Sequence, residues 1–330
     1  MRLHFRAALT AVALAMSALA SSMSASQTFD PVKPITIIVP YSAGAASDIL
    51  ARRLAEGLGK SFKNPIIVEN TVGAGGIIGT MRAQKAPADG HTLVIGTQGT
   101  HMMNKYIYKS LKYDPDKDFA PVVNLVSFPN LVLVPKSLNV STMEEFVALA
   151  QKRMAEKRPL TYGSGGIGSS SHLSAELLKL EAGFDLVHVP YKSIADTTSD
   201  ILGGRLDVIL GSVGTFAPFV DKGELVALAV TSPERSPILP RVPTIAEKGY
   251  PRSEFAVWLG LFAPAGTPPP TVEQLREAAV QAMTAPALRA SFAAEGTDIQ
   301  ADAKIGFKEF IRTDGQKWEP VIRKLGIALE

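Results

Sequence analysis

The 330-residue chain contains no cysteine. Disulfides, thiolate metal sites, cysteine nucleophiles and a lipid carried on an N-terminal cysteine are therefore excluded. Histidine is scarce too: the five histidines show no H-E-x-x-H or similar ligand spacing, so no metal site is indicated. The chain lacks G-x-S-x-G, which leaves it without a nucleophile elbow. Ser171 and His172 are adjacent, and neighbours on a helix point in different directions, so they do not form a nucleophile–base pair. An excess of one charge is missing as well. The formal net charge of +3 includes Arg2 and Arg6, without which 32 basic residues face 31 acidic ones. That balance argues against nucleic-acid binding and against a polybasic membrane anchor.

The N-terminus, MRLHFRAALTAVALAMSALASS, has a basic start, an apolar stretch at 7–19 and then small residues. This is the order of a secretory signal peptide, and the apolar stretch is too short for a comfortable transmembrane helix. The expected signal segment is 1–26, with cleavage near 20 or 25. Export without a lipid or a spanning helix predicts a periplasmic protein. With 46% hydrophobic and 20% charged residues, the rest reads as globular and is long enough for two compact lobes.

Short apolar runs alternate with helical patterns. ITIIV (35–39), TLVIG (92–96), LVLV (131–134), LDVIL (206–210) and LVALAV (225–230) have the character of buried strands in a mostly parallel sheet. Leu50, Leu54 and Leu58 form one apolar helical stripe, and Leu173, Leu177 and Leu180 another. Ser141 with Glu144, and Thr271 with Gln274, fit capping boxes. The fold class is α/β.

One device occurs twice: a strand, a loop of small residues, then a helix. It appears at PYSAGAASD and again at GSGGIGSSS. Small residues admit a ligand close to the backbone, and the first helical turn offers unpaired N–H groups, so each loop is a candidate anion site. A third loop, GAGGIIG (73–79), is either another such site or a tight turn for helix packing. Gly163, Gly165 and Gly168 satisfy the dinucleotide pattern G-x-G-x-x-G, with Asp185 in reach as a ribose acid. Glycine-rich anion loops commonly meet that pattern, however, and nicotinamide cofactors are not expected outside the cytoplasm. Ser169, Ser170 and Ser171 suit a carboxylate equally well. A P-loop reading of LAEGLGKS fails because Leu54 stands where a glycine is required. His172 reads as a capping or packing residue, and Asp48 as a brace for the first loop through backbone N–H groups.

The ordered segments PITIIVPYSAGAASDILARRLAE, VENTVGAGGIIG, ADGHTLVIGT, GSGGIGSSSHLSAELL, HVPYKS, LGGRLDVIL, LVALAVTSPERSPILPRVPTIAEKGYP and WLGLFAPAGTPP resemble the Bug-type periplasmic receptors of tripartite tricarboxylate transporters. The resemblance runs from about Pro31 to the C-terminus. It implies a two-lobed periplasmic binding protein of the Venus-flytrap kind, with lobes joined by two crossing strands near 128–135 and 258–264. Lobe 1 would comprise 27–128 plus 258–330, and lobe 2 would comprise 129–257. Phe307, Phe310, Ile311, Trp318 and Ile322 would pack the terminal helix back on lobe 1.

The implied ligand is a small organic carboxylate, either a di- or tricarboxylate or an aromatic one, held between the loops and delivered to the membrane subunits of the transporter. On this sequence the site would comprise Tyr41, Ser42, Ala43, Gly44, Ala45, Ala46 and Asp48 from the first loop. Thr97 and Gln98 follow, then Gly163, Ser164, Gly165, Gly166, Ser169, Ser170, Ser171 and His172 from the second. Tyr191 with Lys192, and Gly211 with Ser212, complete it. No catalytic residue, metal, cofactor or nucleic-acid partner is expected, and the protein is expected to be a monomer. The chain departs from the family at Ala45, at Thr71 and Val72, at Ser193 and at Gly211, where an aspartate is frequent. The lost aspartate favours a plain carboxylate over an amino acid, and the small Gly211 and Ser212 leave room for a bulky or aromatic body. A ligand sensor and an exported enzyme are the competing readings.

Overall fold

A computed structural model describes residue 30, residues 32–303 and residues 305–325; the expected signal segment lies outside the described residues. The strands are β1 (Ile35–Val39), β2 (Ile66–Asn70), β3 (Thr92–Thr97), β4 (Phe119–Pro135), β5 (Leu160–Ser164), β6 (Leu186–Pro190), β7 (Val208–Ser212), β8 (Leu225–Val230), β9 (Ala256–Pro264) and β10 (Asp298–Ile299). They form one sheet in the order β2-β1-β3-β9-β4-β7-β5-β6, with β8 and β10 also pairing with β4. At one end β1 lies parallel between β2 and β3, and at the other β5 lies parallel between β6 and β7.

The strand β4 joins the two halves. From Phe119↔Pro264 to Pro129↔Ala256 it runs antiparallel to β9. From Asn130↔Ser212 onward it pairs with β7 and β8 instead. Pro129 has no N–H to offer a ladder, which suits the point where partners change. Just before β9 the Phe255 N–H donates to the Thr231 carbonyl at 2.8 Å, and Ala256 faces Pro129. The stretch 258–264, expected to hold the second crossing, pairs with β3 and β4.

Side-chain alternation explains why β4 is apolar from Leu131 to Pro135. Leu131 and Leu133 enter one core with Ile209, Phe216 and Val230. Val132 and Val134 enter another, on the opposite face, with Phe146, Tyr162 and Leu210. A strand covered on both sides needs no polar face.

The helices are α1 (Ala46–Ser61), α2 (Ile77–Gln84), α3 (Asn104–Ile107), α4 (Met143–Ala155), α5 (Ser170–Ala182), α6 (Ile194–Leu202), α7 (Val213–Asp221), α8 (Pro269–Thr284), α9 (Pro286–Ala294) and α10 (Phe307–Leu325). Leu50, Leu54 and Leu58 of α1 are buried as a stripe. On α5 the stripe is Leu173, Leu177 and Leu178, whereas Leu180, expected in it, is 40% exposed. The capping box of α4 is one residue later than expected: the Glu145 N–H donates to Thr142 Oγ1 at 3.2 Å, and the Glu145 carboxylate accepts from the Thr142 and Ser141 N–H groups. That start buries Met143, Phe146 and Val147. The box expected at Thr271 does not form, because α8 begins earlier, at Pro269, whose fixed φ needs no side-chain cap. In α10, the ring of Phe307 lies 5.6 Å from Trp258 and 5.1 Å from Phe262, and Trp258 Nε1 donates to Asp314 Oδ2 at 3.0 Å. The terminal helix thus covers β9.

Truncating Leu54 to alanine should lower unfolding free energy by about 2–5 kcal/mol, since the site is closed on all sides. Leu180→Ala should stay within about 0.5 kcal/mol. Urea denaturation of both variants checks this; equal losses would contradict the assigned stripe.

Candidate functional site

Above the central strands the two small-residue loops enclose a cavity of about 430 Å³. The first loop leaves β1 and enters α1 at Ala45, which has no side-chain cap. Gly44, with φ +79°, turns the chain so that its N–H donates to Asp48 Oδ2 at 2.9 Å. Asp48 also accepts from Arg52 Nε at 3.1 Å and from Asn70 Nδ2 at 3.0 Å, and the same Asn70 amide donates to the Tyr41 carbonyl. Burial alone would raise the Asp48 pKa. The hydrogen bonds from Arg52, the Gly44 N–H and Asn70 outweigh it and hold the carboxyl below its ordinary value. The carboxylate is thus committed to the loop behind the cavity wall.

The second loop leaves β5 and enters α5. Gly166 and Gly168 have φ of +105° and +81°, values that favour glycine. Its serines divide the work. Ser164 Oγ accepts from the Gly166 N–H at 3.0 Å, Ser171 Oγ from the Gly165 N–H at 3.2 Å, and Ser169 Oγ caps α5 through the His172 N–H at 3.4 Å. The hydroxyls of Ser42, Ser47 and Ser170, all in the cavity wall, have no hydrogen-bond partner among the described residues. Ser47 and Ser170 lie in first helical turns, where the N–H groups have no intrahelical acceptor, and Ser42 lies in the loop before α1.

Behind the second loop the rings of Tyr162 and His188 stack at 4.8 Å, and those of His188 and His172 lie 4.7 Å apart. Burial lowers the His172 pKa to about 3, and the adjacent His188 adds to the effect. Burial also lowers His188, which bonds to Ser164 Oγ through Nε2. Both rings are neutral near pH 7 and act as packing for the loop root.

The loops of the two halves touch through backbone. A Cβ on Gly75 would sit 2.1 Å from the Ile167 carbonyl oxygen, and one on Gly99 would sit 2.1 Å from the Gly168 carbonyl oxygen. Tyr108 donates its hydroxyl to the Ile167 carbonyl at 3.3 Å. In the third loop Gly73, Ala74, Gly75 and Gly76 line the cavity, and Gly75 seats the opposing loop.

Strand register lays out the floor. Thr97 pairs with Leu259, Phe128 with Val257, Asn130 with Ser212, Gly163 with Ile209 and Ser164 with Pro190, and all of these line the cavity. Among the described residues, no aspartate or glutamate lines it, and Lys192 is its one cation.

Of the residues singled out from sequence, Tyr41, Ser42, Ala45, Ala46, Thr97, Gly163, Ser164, Gly165, Gly166, Ser169, Ser170, Ser171, Tyr191, Lys192, Gly211 and Ser212 are brought together in the wall. Ala43, Gly44, Asp48, Gln98 and His172 are not in it. Ala43 and Gly44 are exposed on the outer side of the turn. Gln98 ties β3 to β9, donating to the Ala256 carbonyl at 2.8 Å and accepting from the Trp258 N–H at 3.3 Å. The space beside Gly211 is taken by the protein itself, since a Cβ there would lie 2.3 Å from the Phe216 ring. Sequence reading missed Phe128, Asn130, Ile209, Phe216, Val257 and Leu259 as wall residues. In the sequence they look like ordinary core residues, and only the strand register and the placement of α7 bring them to the cavity wall.

Residues 50–327 match the profile described as Tripartite tricarboxylate transporter family receptor. Protein BugT of Bordetella pertussis is 31% identical over 98% of this chain and 98% of its own length. Among solved structures, MatC of Rhodopseudomonas palustris with bound malate superposes with a TM-score of 0.83 at 30% identity, covering 88% of this chain and 99% of that one. Rpa4515 of the same organism, with adipate, has a TM-score of 0.83 at 33% identity, covering 91% and 99%.

Removing the loop brace by Asp48→Ala should cost about 1–3 kcal/mol in chemical denaturation at pH 7. The folded-state pKa is depressed, so this stabilisation is present above the ordinary carboxylate range and is lost as pH falls through the lowered value. The wild-type and variant stabilities should therefore converge in acid; a constant gap down to pH 2 would contradict the brace.

Proposed function

The chain belongs to the tripartite tricarboxylate transporter receptor family, and on that premise we propose that it captures a small organic carboxylate between its two loops and delivers it to a membrane permease. The observation that carries this reading is the cavity wall itself: two uncapped or serine-capped helix starts, unpartnered hydroxyls at Ser42, Ser47 and Ser170, and no acidic side chain. Such a wall offers donors without a competing negative charge. Family members hold malate and adipate in the solved structures, which supports a carboxylate here.

Charge-assisted hydrogen bonds contribute about 1.5–3 kcal/mol each, and micromolar affinity requires about 8 kcal/mol. Three or four such bonds with some apolar burial suffice, even against the entropy cost of association. Donors from both loops make the closed arrangement the one that binds, which is the differential affinity a closing motion requires. We assign lobe 1 to 27–128 plus 258–330 and lobe 2 to 129–257; the change of β4 partners at Pro129 and Asn130 supports that division. The proposed location is the periplasm, reached through a signal peptide cleaved near 20 or 25. In this reading the protein is a monomer without catalytic activity.

Ser170 is the residue to test in the second loop, because Ser171 Oγ is already bonded to the Gly165 N–H and to Ser169 Oγ. The double variant Ser42→Ala/Ser170→Ala should weaken carboxylate binding by at least about 10-fold in calorimetry, with little change in stability without ligand. Wild-type protein should return the ligand chemically unchanged. Undiminished affinity would exclude the hydroxyl contacts, and turnover would favour an exported enzyme.

Closure depends on the bare backbone at Gly75. Gly75→Ala puts a methyl against the Ile167 carbonyl and strains a φ of +61°, so affinity should fall while the residues on the strand floor stay intact. Unaltered affinity in that variant would show that the loops need not meet for binding.

A further inference from the structure

The floor of the cavity differs in kind from its loops, and the difference restricts what can lie on it. Strand register sets Phe128 opposite Val257, with Leu259 on the same face of β9, and Ile209 of β7 and Phe216 of α7 line the cavity with them. Resting on the carboxylate reading of this site, we propose that the ligand is a monocarboxylate whose remainder is uncharged, apolar and of aromatic width.

Charge placement comes first. Lys192 is the one cation in the wall among the described residues, and it belongs to the loop side: the preceding Tyr191 N–H donates to the Ser164 carbonyl at 2.8 Å, at the root of the second loop. Arg52 lies behind the first loop and is paired with Asp48. A second carboxylate on the floor would be desolvated with no counter-charge, a costly arrangement.

The polar groups of the floor are neutral and already paired. Ser212 Oγ donates to Thr215 Oγ1 at 2.7 Å, and Asn130 Nδ2 to Ser174 Oγ at 2.9 Å. They accommodate a hydroxyl or ether on the ligand body and carry no positive charge to offset an anion.

Shape supplies the third argument. Gly211 lets the Phe216 ring lie directly against β7, where any Cβ would collide with it at 2.3 Å. Phe216 is 1% exposed and backs β7, which leaves Phe128, on the neighbouring strand, as the aromatic wall. A volume of about 430 Å³ equals roughly fourteen waters at about 30 Å³ each, enough for a ring. Phe128 is thus the specificity-determining residue.

Calorimetry on the wild-type protein with benzoate, phenylacetate, benzamide, malate and adipate tests the proposal. An aromatic monocarboxylate should bind at least about 10-fold more tightly than either diacid, with a negative heat-capacity change from apolar burial. Tighter binding of malate or adipate would overturn the proposal and leave the carboxylate reading standing. Benzamide binding as tightly as benzoate would overturn both. Phe128→Leu should weaken the aromatic ligand at least about 5-fold more than it weakens adipate; equal effects on the two would also count against the proposal.

Discussion

Two backbones from opposite halves of the sheet meet with no side chain between them. Gly75 against the Ile167 carbonyl, and Gly99 against the Gly168 carbonyl, leave no room for even one methyl group. This approach makes one cavity out of two loops. Within an enclosure of low polarity, each hydrogen bond to an anion is stronger than in water, so modest hydroxyl and N–H donors are enough to hold a charge. The glycines serve this contact first, and ligand approach second.

The meeting of the loops depends in turn on what lies under them. The strand β4 has no solvent face in its second half, because its alternate side chains feed two separate cores. It also exchanges one set of partners for another at a proline, so one continuous strand spans both halves. The loops sit at the C-terminal ends of β1 and β5, each central in its parallel group, where α/β sheets present ligand sites. Polar second-layer groups then fix the loops: Asp48 and Asn70 behind the first, His172 and His188 behind the second.

The sequence made the strands and both loops legible for plain reasons. ITIIV and LVALAV match β1 and β8 end to end because short β-branched runs between breakers have few alternatives. The loops stood out by their small residues. Errors arose where a local rule yielded to packing. Leu180 kept the right spacing and faced solvent, and Thr142 displaced Ser141 as the cap because the helix had to bury Met143 and Phe146. The cavity floor was illegible for a deeper reason: Phe128 and Val257 look like any buried strand residue until the register of β4 with β9 is known. Gly211 read as space for a ligand, and the structure fills that space with Phe216.

A crystal structure of the protein with a bound carboxylate tests the central claim most directly. The account places the carboxylate oxygens within hydrogen-bonding distance of the Ser42 and Ser170 hydroxyls and of N–H groups in the first turns of α1 and α5, with the Gly75–Ile167 contact closed above them. A carboxylate held by Lys192 at the rim, or a bound ligand with the two loops apart, would contradict it.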